Sequence, residues 1–408
     1  MKFALRPLKD TPSGYYPMFG GLVLVLLLGL GAVGYVEHHG HIVTGMNNQI
    51  VWGLPHVFAV FLIVAASGAL NVASMASVFG KVEFKPMAPL SGLLAIALLI
   101  GGLMVLMLDL GRPDRLIVAM THFNFKSIFS WNIILYSGFV GFVAAYLWTM
   151  MERRMNRFTP FAGFLAFIWR MALTTGTGSI FGFLVARQAY DSALLAPLFI
   201  ALSLSYGLAV FVLVLMLACH GGDRPLGEVL IARLARLQVI FVAAGLYFVL
   251  VYHLTNLYFT KHHDFERFIL LEGGAYTLIF WLGQVVLGGL LPLALLFRSP
   301  ADALRSRIKW AAGWVSLGGL AQMYVTIVGG QAFAIVLFPG RQISSSFFDG
   351  VVTHYVPTLP EWLLGFGGVA VAGLVVMLAV KVMGFLPERL DDAALGLPSS
   401  HESSTAVA

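Results

Sequence analysis

WGLPHVFAVFLIVAASGALNVAS, residues 52–74, is the stretch that decides the fold. Between His56 and Asn71 it carries fourteen consecutive residues without a charge. Apolar residues follow one another without the strict alternation that a membrane β-strand requires. With its flanks the run extends over 52–79, which exceeds the ~20 residues needed to cross a bilayer as a helix. Runs of this kind recur along the 408 residues, of which 59% are hydrophobic and 11% charged, against about 25% charged in a soluble domain. The mean hydropathy of +0.88 fits the same reading. The chain therefore reads as an all-α integral membrane protein, a single polytopic domain over 1–408.

About ten spans are expected, at 17–36, 52–79, 88–108, 127–150, 161–187, 194–219, 238–259, 268–297, 309–338 and 360–385, followed by a flexible tail over 386–408. The first is read as a retained span rather than a signal peptide, because its apolar run is longer than a usual h-region and no clear A-x-A site follows. The N-terminus, the even-numbered loops and the tail hold 17 Lys and Arg; the odd-numbered loops hold 7, and Arg170 lies inside span five. This bias places both termini in the cytoplasm. A net charge of +6 then reports orientation, not nucleic acid. Nine of eleven histidines (His38, His39, His41, His56, His122, His253, His262, His263 and His354) fall toward the outer side, and only His220 and His401 inside.

Polar groups at membrane depth are costly unless they face protein or water. His56 lies about one turn inside span two. His253 lies about 9 Å below the outer end of span seven, with Asn256 on the same face. Arg170 sits near the middle of span five with Thr174 one turn away, and cannot readily shed its charge. Asn71, Gln284, Gln322 and Tyr324 are also deep, and Asp109, Asp191 and Glu272 close outer span ends. Such groups commonly join helices. A proton route through Arg170, the Thr174–Ser179 stretch and His253, with Asn256 and Glu272, is the functional alternative.

Other chemistries are weaker. One cysteine, Cys219, excludes disulfides, Cys-ligated iron–sulfur clusters and C-x-x-C-H haem attachment within this chain. His38-His39-x-His41 has no rigid fourfold set and makes a poor metal site. His56 and His253 could ligate at most one haem, and only by facing each other. The Gly-x-Gly of TTGTGSIFG follows no strand, so a dinucleotide reading fails; close helix packing or a local break remains.

Five stretches carry a resemblance: WGLPHVFAVFLIVAASGALNVAS (52–74), DLGRPDRLIVAM (109–120), SIFSWNIILY (127–136), GQVVLGGLLPLALL (283–296) and VTIVGGQ (325–331). Together they resemble the NrfD/PsrC family, integral membrane subunits of quinone-linked respiratory and sulfur-metabolising complexes. With ten spans, the chain is most similar to the membrane subunit of the DsrMKJOP transmembrane complex. The resemblance implies two four-helix bundles plus peripheral helices, a bacterial inner membrane, and quinone (menaquinone or ubiquinone) bound near the periplasmic face. It implies no haem or iron–sulfur cluster in this chain, which is non-catalytic alone. The implied partners are a periplasmic ferredoxin-like iron–sulfur subunit, a multihaem cytochrome c, a second membrane subunit with b-haem, and a cytoplasmic iron–sulfur subunit. By resemblance, quinone contacts fall on His56, Asp109, Arg112, Trp131, Asn132 and Tyr136. Span nine departs from the family, with Met323 before Tyr324 where relatives often carry Arg.

Chemistry agrees with that expectation. A protein without an electron store needs a lipid-soluble carrier, and the protein's part is to bind it and handle protons. An imidazole suits proton handling near neutral pH. The rivals are a passive anchor for redox subunits and a secondary transporter; the latter calls for repeated broken helices, which the sequence does not display.

Overall fold

The computed structural model describes residues 5–8, 12–222, 224–297, 299–335 and 350–397. The protein is an all-α integral membrane protein. Nine helices among the described residues are long and apolar enough to cross a membrane: α1 Tyr15–His39, α2 Leu54–Ser77, α3 Val82–Leu108, α4 Ile128–Met151, α6 Leu195–Gly221, α7 Glu228–Tyr258, α8 Ala275–Leu296, α9 Asp302–Ala332 and α10 Leu359–Val382. The fifth expected span is also a helix, α5 Thr159–Gly182, of 24 residues. It falls outside the nine because Arg170 and a run of Thr, Gly and Ser dilute its apolar content.

Packing sorts these helices into two bundles. Helices α2, α3, α4 and α5 form the first; α6, α7, α8 and α9 form the second. The outer pair α1 and α10 lies against α3 and α2. Helix α6 joins the bundles by packing on both α2 and α5. Its crossing with α2 is backbone on backbone: a Cβ on Gly68 would stand 1.6 Å from the Ser203 carbonyl oxygen, and one on Gly207 would stand 2.1 Å from the Ala69 nitrogen. A turn at Leu70 interrupts α2 there. Ser91 of α3 repairs the break by donating to the Ala69 carbonyl at 2.7 Å and accepting from the Ala73 N–H at 3.0 Å. A side chain inserted into the helical ladder is an ordinary cause of such bends.

The molecule has two unlike ends. At the basic end, Leu5–Arg6 pairs antiparallel with Leu386–Pro387. Arg224 donates to the carbonyls of Leu386 and Pro387 at 2.9 and 2.6 Å, and to that of Arg6 at 3.1 Å. Asp392 accepts from the N–H groups of Val229 and Leu230 at the start of α7. Leu390 and Leu395 are buried. Residues 386–397, expected as part of a free tail, are therefore docked onto the bundle; the tail beyond 397, with His401, lies outside the described residues, as do residues 336–338 of span nine.

Span edges also shift. Helix α7 starts at Glu228 and α9 at Asp302, before the apolar runs at 238 and 309. Hydropathy marks only the part of a helix that lies in lipid, whereas Arg233 and Arg305 continue the same helices into a polar layer, paired with Glu83 and Glu228. Span eight shortens at its other end, because Gly274 has a positive φ of 58° and breaks the chain before Ala275. Span five ends at Gly182 rather than 187.

Candidate functional site

The histidine end is built from irregular segments that pin the start of α2. Gln331 accepts from the N–H groups of Val51 and Trp52 at 3.1 Å each, and donates to the Trp52 carbonyl at 3.0 Å. Gln49 donates to the carbonyls of Gln331, Ala332 and Val351. Arg187 reaches the carbonyls of Gln331 and Gln49 at 2.9 and 2.8 Å. The Tyr355 hydroxyl accepts from the Leu54 N–H at 2.6 Å and donates to Glu361. Burial first, and the neighbouring Glu361 charge second, push the Tyr355 pKa up, so this hydroxyl keeps its proton and its role as donor. Buried backbone groups that α2 leaves unpaired at its start are thereby satisfied.

This clamp sets Trp52 and His56. The His56 ring packs on Trp52 with centroids 6.1 Å apart and 27° between planes. Trp52 also meets Phe129 at the start of α4 and Phe181 at the end of α5, both edge-on. On the other side, His56 Nδ1 lies 2.8 Å from Oδ2 of Asp109, at the end of α3. Neither atom makes a directed hydrogen bond with any described residue. Distance and direction thus disagree: the two atoms are in contact, but the ring nitrogen does not point at the carboxylate. The side chains are 14% and 5% exposed, so an imidazole and a carboxylate face each other behind an aromatic wall with hydrogen-bonding capacity unspent. His41 stands near the turn after Asp109, its ring 3.7 Å from where a Gly111 Cβ would be.

Asn132 of α4 donates to the carbonyls of Ile128 and Gly176, which ties α4 to α5, while its own Oδ1 has no partner among the described residues. Tyr136 is buried one turn further in. The Gly-x-Gly of α5 is close packing in an unbroken helix: Cβ atoms on Gly176 and Gly178 would strike Leu135 and the Leu195 carbonyl.

Two residues expected at the site are elsewhere. Arg112 is 66% exposed and pairs with Asp114 at 3.2 Å. That short-range pair raises its pKa and lowers the Asp114 pKa, chiefly through the hydrogen bond between them. The Gly111–Pro113 turn directs the guanidinium outward. Trp131 is 44% exposed and donates to the Phe125 carbonyl at 3.0 Å, because it occupies the outer face of α4 one residue from the inward Asn132.

The expected proton route also divides. Arg170 is buried in the first bundle, where it donates to Asn71 Oδ1 at 2.9 Å and to the Ser67 carbonyl at 3.3 Å. Among the described residues it makes no ion pair. Thr174 donates to the Arg170 carbonyl at 2.9 Å and meets Ser67. His253 belongs to the second bundle, packed edge-on against Phe280 of α8. Its partner is Glu266, whose Oε2 lies 2.7 Å from Nδ1. Asn256 donates to the other oxygen at 2.8 Å. Glu272 does not join them; it is 55% exposed and pairs with Arg267 at 2.7 Å. The two in-span histidines each face a carboxylate in separate bundles, so they do not face one another as haem ligands would.

Sequence reading missed Trp52, Phe129, Phe181, Gln331 and Glu266. Glu266 carried a usable signal: His262, Phe265, Glu266 and Ile269 fall at helical spacing and are all buried. Gln331 carried none, since its partners are backbone groups some 280 residues away in sequence.

Comparison with known proteins gives a consistent picture. A family model described as polysulphide reductase, NrfD, matches residues 42–335. The sequence is 28% identical over 378 residues to the Hdr-like menaquinol oxidoreductase integral membrane subunit of Archaeoglobus fulgidus, a match that takes in 90% of this protein and 93% of that one. It is 23% identical over 409 residues to a selenate reductase subunit of Mesobacillus selenatarsenatis, taking in 90% and 94%. It is 28% identical over 316 residues to a polysulfide reductase chain of Wolinella succinogenes, taking in 70% and 96%.

Proposed function

The chain belongs to the NrfD polysulphide reductase family, and from that premise we propose that it is the quinone-interacting membrane subunit of a redox complex. Quinol is oxidised, or quinone reduced, at the His56–Asp109 pair. One observation carries this reading: a partly exposed imidazole and a buried carboxylate, 2.8 Å apart without a directed hydrogen bond, sit beside the aromatic wall of Trp52, Phe129 and Phe181. A flat ring with a hydroxyl at its edge matches that pairing of apolar surface and unspent hydrogen-bonding capacity.

Each residue has a task. Trp52, held by Gln331, offers the ring a face. His56 takes the proton of a quinol hydroxyl, and Asp109 stabilises the imidazolium that results. Asn132 Oδ1, unpartnered one turn after Phe129 in α4, provides a further acceptor. Quinol supplies two electrons and two protons; the electrons pass to an iron–sulfur partner and the protons leave on the site's own side. The basic end is cytoplasmic by the charge bias, so the site is periplasmic and both termini are inside, in a bacterial inner membrane. The resemblance of the quoted stretches extends this reading to the membrane subunit type of the DsrMKJOP complex that carries no haem. The partners then are a periplasmic ferredoxin-like subunit, a multihaem cytochrome c, a b-haem membrane subunit and a cytoplasmic iron–sulfur subunit. The archaeal relative is named for menaquinol, which makes menaquinol the first substrate to try and ubiquinol the second.

The test is quinol-driven reduction of the partner's clusters in the purified complex, with wild type beside His56→Ala. Loss of turnover with the assembly intact is expected. Unchanged turnover and quinone affinity would remove His56 from the reaction.

A further inference from the structure

The second bundle holds polar atoms that the site above does not use. Residues Ile279–Leu290 of α8 form a π-helical stretch, as do Val325–Gly329 at the end of α9. Such wide turns re-aim side chains and recur at functional positions. In α8 the wide turn carries Gln284, which is 5% exposed. Neither its amide nitrogen nor its oxygen has a partner among the described residues. Gln238 of α7 is fully buried; it donates to the Ser205 carbonyl at 3.2 Å, and its own oxygen is likewise unpartnered. Buried amides are almost always hydrogen-bonded, to protein or to ordered water.

There is room for water. A cavity of about 30 Å³ is lined by Ser205, Tyr206, Gln284, Gln322, Gly288 and Gly318. A second, of about 20 Å³, is lined by Tyr252, His253, Gln322 and Thr326. Gln322 and Val249 line both, so the two are neighbours. Glycines keep the first one open: Gly288 and Gly318 pack backbone to backbone, and a Cβ on Gly288 would stand 2.6 Å from the Gly318 Cα. A water needs roughly 10–15 Å³ of such space and two to four polar partners, which allows one or two in each cavity. Toward the basic end a separate cavity opens between α6 and α9, lined by Leu213, Cys219, His220, Asp302, Arg305 and Lys309, and an apolar layer separates it from Gln238. The buried side chains of that layer include Phe211, Leu215, Leu230, Leu234, Ile308 and Val315, and none of those described is polar or charged.

We propose that the second bundle binds a short file of ordered water that runs from the His253–Glu266 pair past Gln322 to Gln284 and Gln238 and stops there. It is a proton well, open toward the histidine end and sealed toward the basic end. Glu266 and His253 form its mouth, and the amides of Gln322, Gln284 and Gln238 hold the water in line. The proposal stands apart from the quinone reading, and its readouts use no quinol.

The experiment uses the intact complex in lipid nanodiscs. A map that shows solvent is expected to contain water within hydrogen-bond distance of the Gln284 amide; a dry cavity overturns the proposal. Gln284→Leu is expected to lower the melting temperature by several degrees, and to lose less than the sum when combined with Gln238→Leu, because the two share a network. A raised melting temperature overturns it, since leucine would then be relieving a dry, orphaned amide. Should Gln284→Leu fail to assemble, the wild-type map still decides occupancy. For the proton role, the infrared band of the Glu266 side chain is identified by its loss in Glu266→Gln. It is expected to shift in Gln284→Leu; a band that does not move separates the water from the pair and overturns the well.

Discussion

Two imidazole–carboxylate pairs stand at the same end of this protein, one in each bundle, and they are built to opposite specifications. His253 and Glu266 are closed on themselves: Glu266 has no exposed side-chain surface and spends both oxygens, one on His253 and one on Asn256. His56 and Asp109 are as close, yet neither contacting atom makes a directed bond to any described residue. The difference lies in where each carboxylate comes from. Glu266 rides on a short helix, His263–Arg267, folded over the end of α7, so local geometry aligns donor and acceptor. Asp109 ends α3, a long helix whose position is set by packing along its whole length, so it meets His56 without being tuned to it. One pair is a structural clasp beside a small cavity; the other keeps hydrogen-bonding capacity unspent.

The sharpest way to break this contrast is to remove Glu266. Glu266→Ala strands His253 and Asn256 in a buried setting, and the expected loss of stability is about 3–5 kcal/mol by thermal or denaturant unfolding. Asp109→Ala removes a partner to which the imidazole was never well bonded, and should cost only about 1 kcal/mol in the same assay. Equal losses would erase the distinction. Next comes chemistry. His56→Ala should lower quinol-driven turnover by about 100-fold, the low end of general acid–base contributions, with the melting curve nearly unmoved. Turnover and stability falling together would instead make His56 a second clasp.

A milder change sharpens the comparison from the side of the support. Gln331→Ala frees the N–H groups of Val51 and Trp52 and loosens the aromatic wall without touching His56. Quinol affinity should weaken roughly tenfold in a titration, with saturated turnover largely retained. The smallest effect is expected at Arg112→Ala. Its guanidinium is committed to Asp114 in water, so both affinity and turnover should change by less than about twofold. A larger loss would return Arg112 to the site.

The membrane architecture was legible because bilayer crossing imposes a long apolar run that few other constraints imitate. His56 and Asp109 stood out for a related reason, since polar residues are rare at those depths, and the structure brings the two side chains together. What escaped was anything decided across sequence distance. Nothing in the sequence ties Gln331 to Trp52, or separates Arg170 from His253, because those outcomes depend on which bundle each helix joins. Direction was equally hidden. Trp131 and Asn132 are neighbours in sequence, yet the first points outward and the second into the bundle. Helices start at 228 and 302, ahead of the spans read at 238 and 309, because a hydropathy count measures lipid contact, and helices neither begin nor end where lipid does.

The crossing of α2 and α6 has a mechanical consequence. With Gly68 and Gly207 leaving no room for a side chain between the two backbones, there is no lubricating layer over which one half of the molecule could tilt against the other. Rocking motions of the kind that carry solutes by alternating access would have to tear this weld.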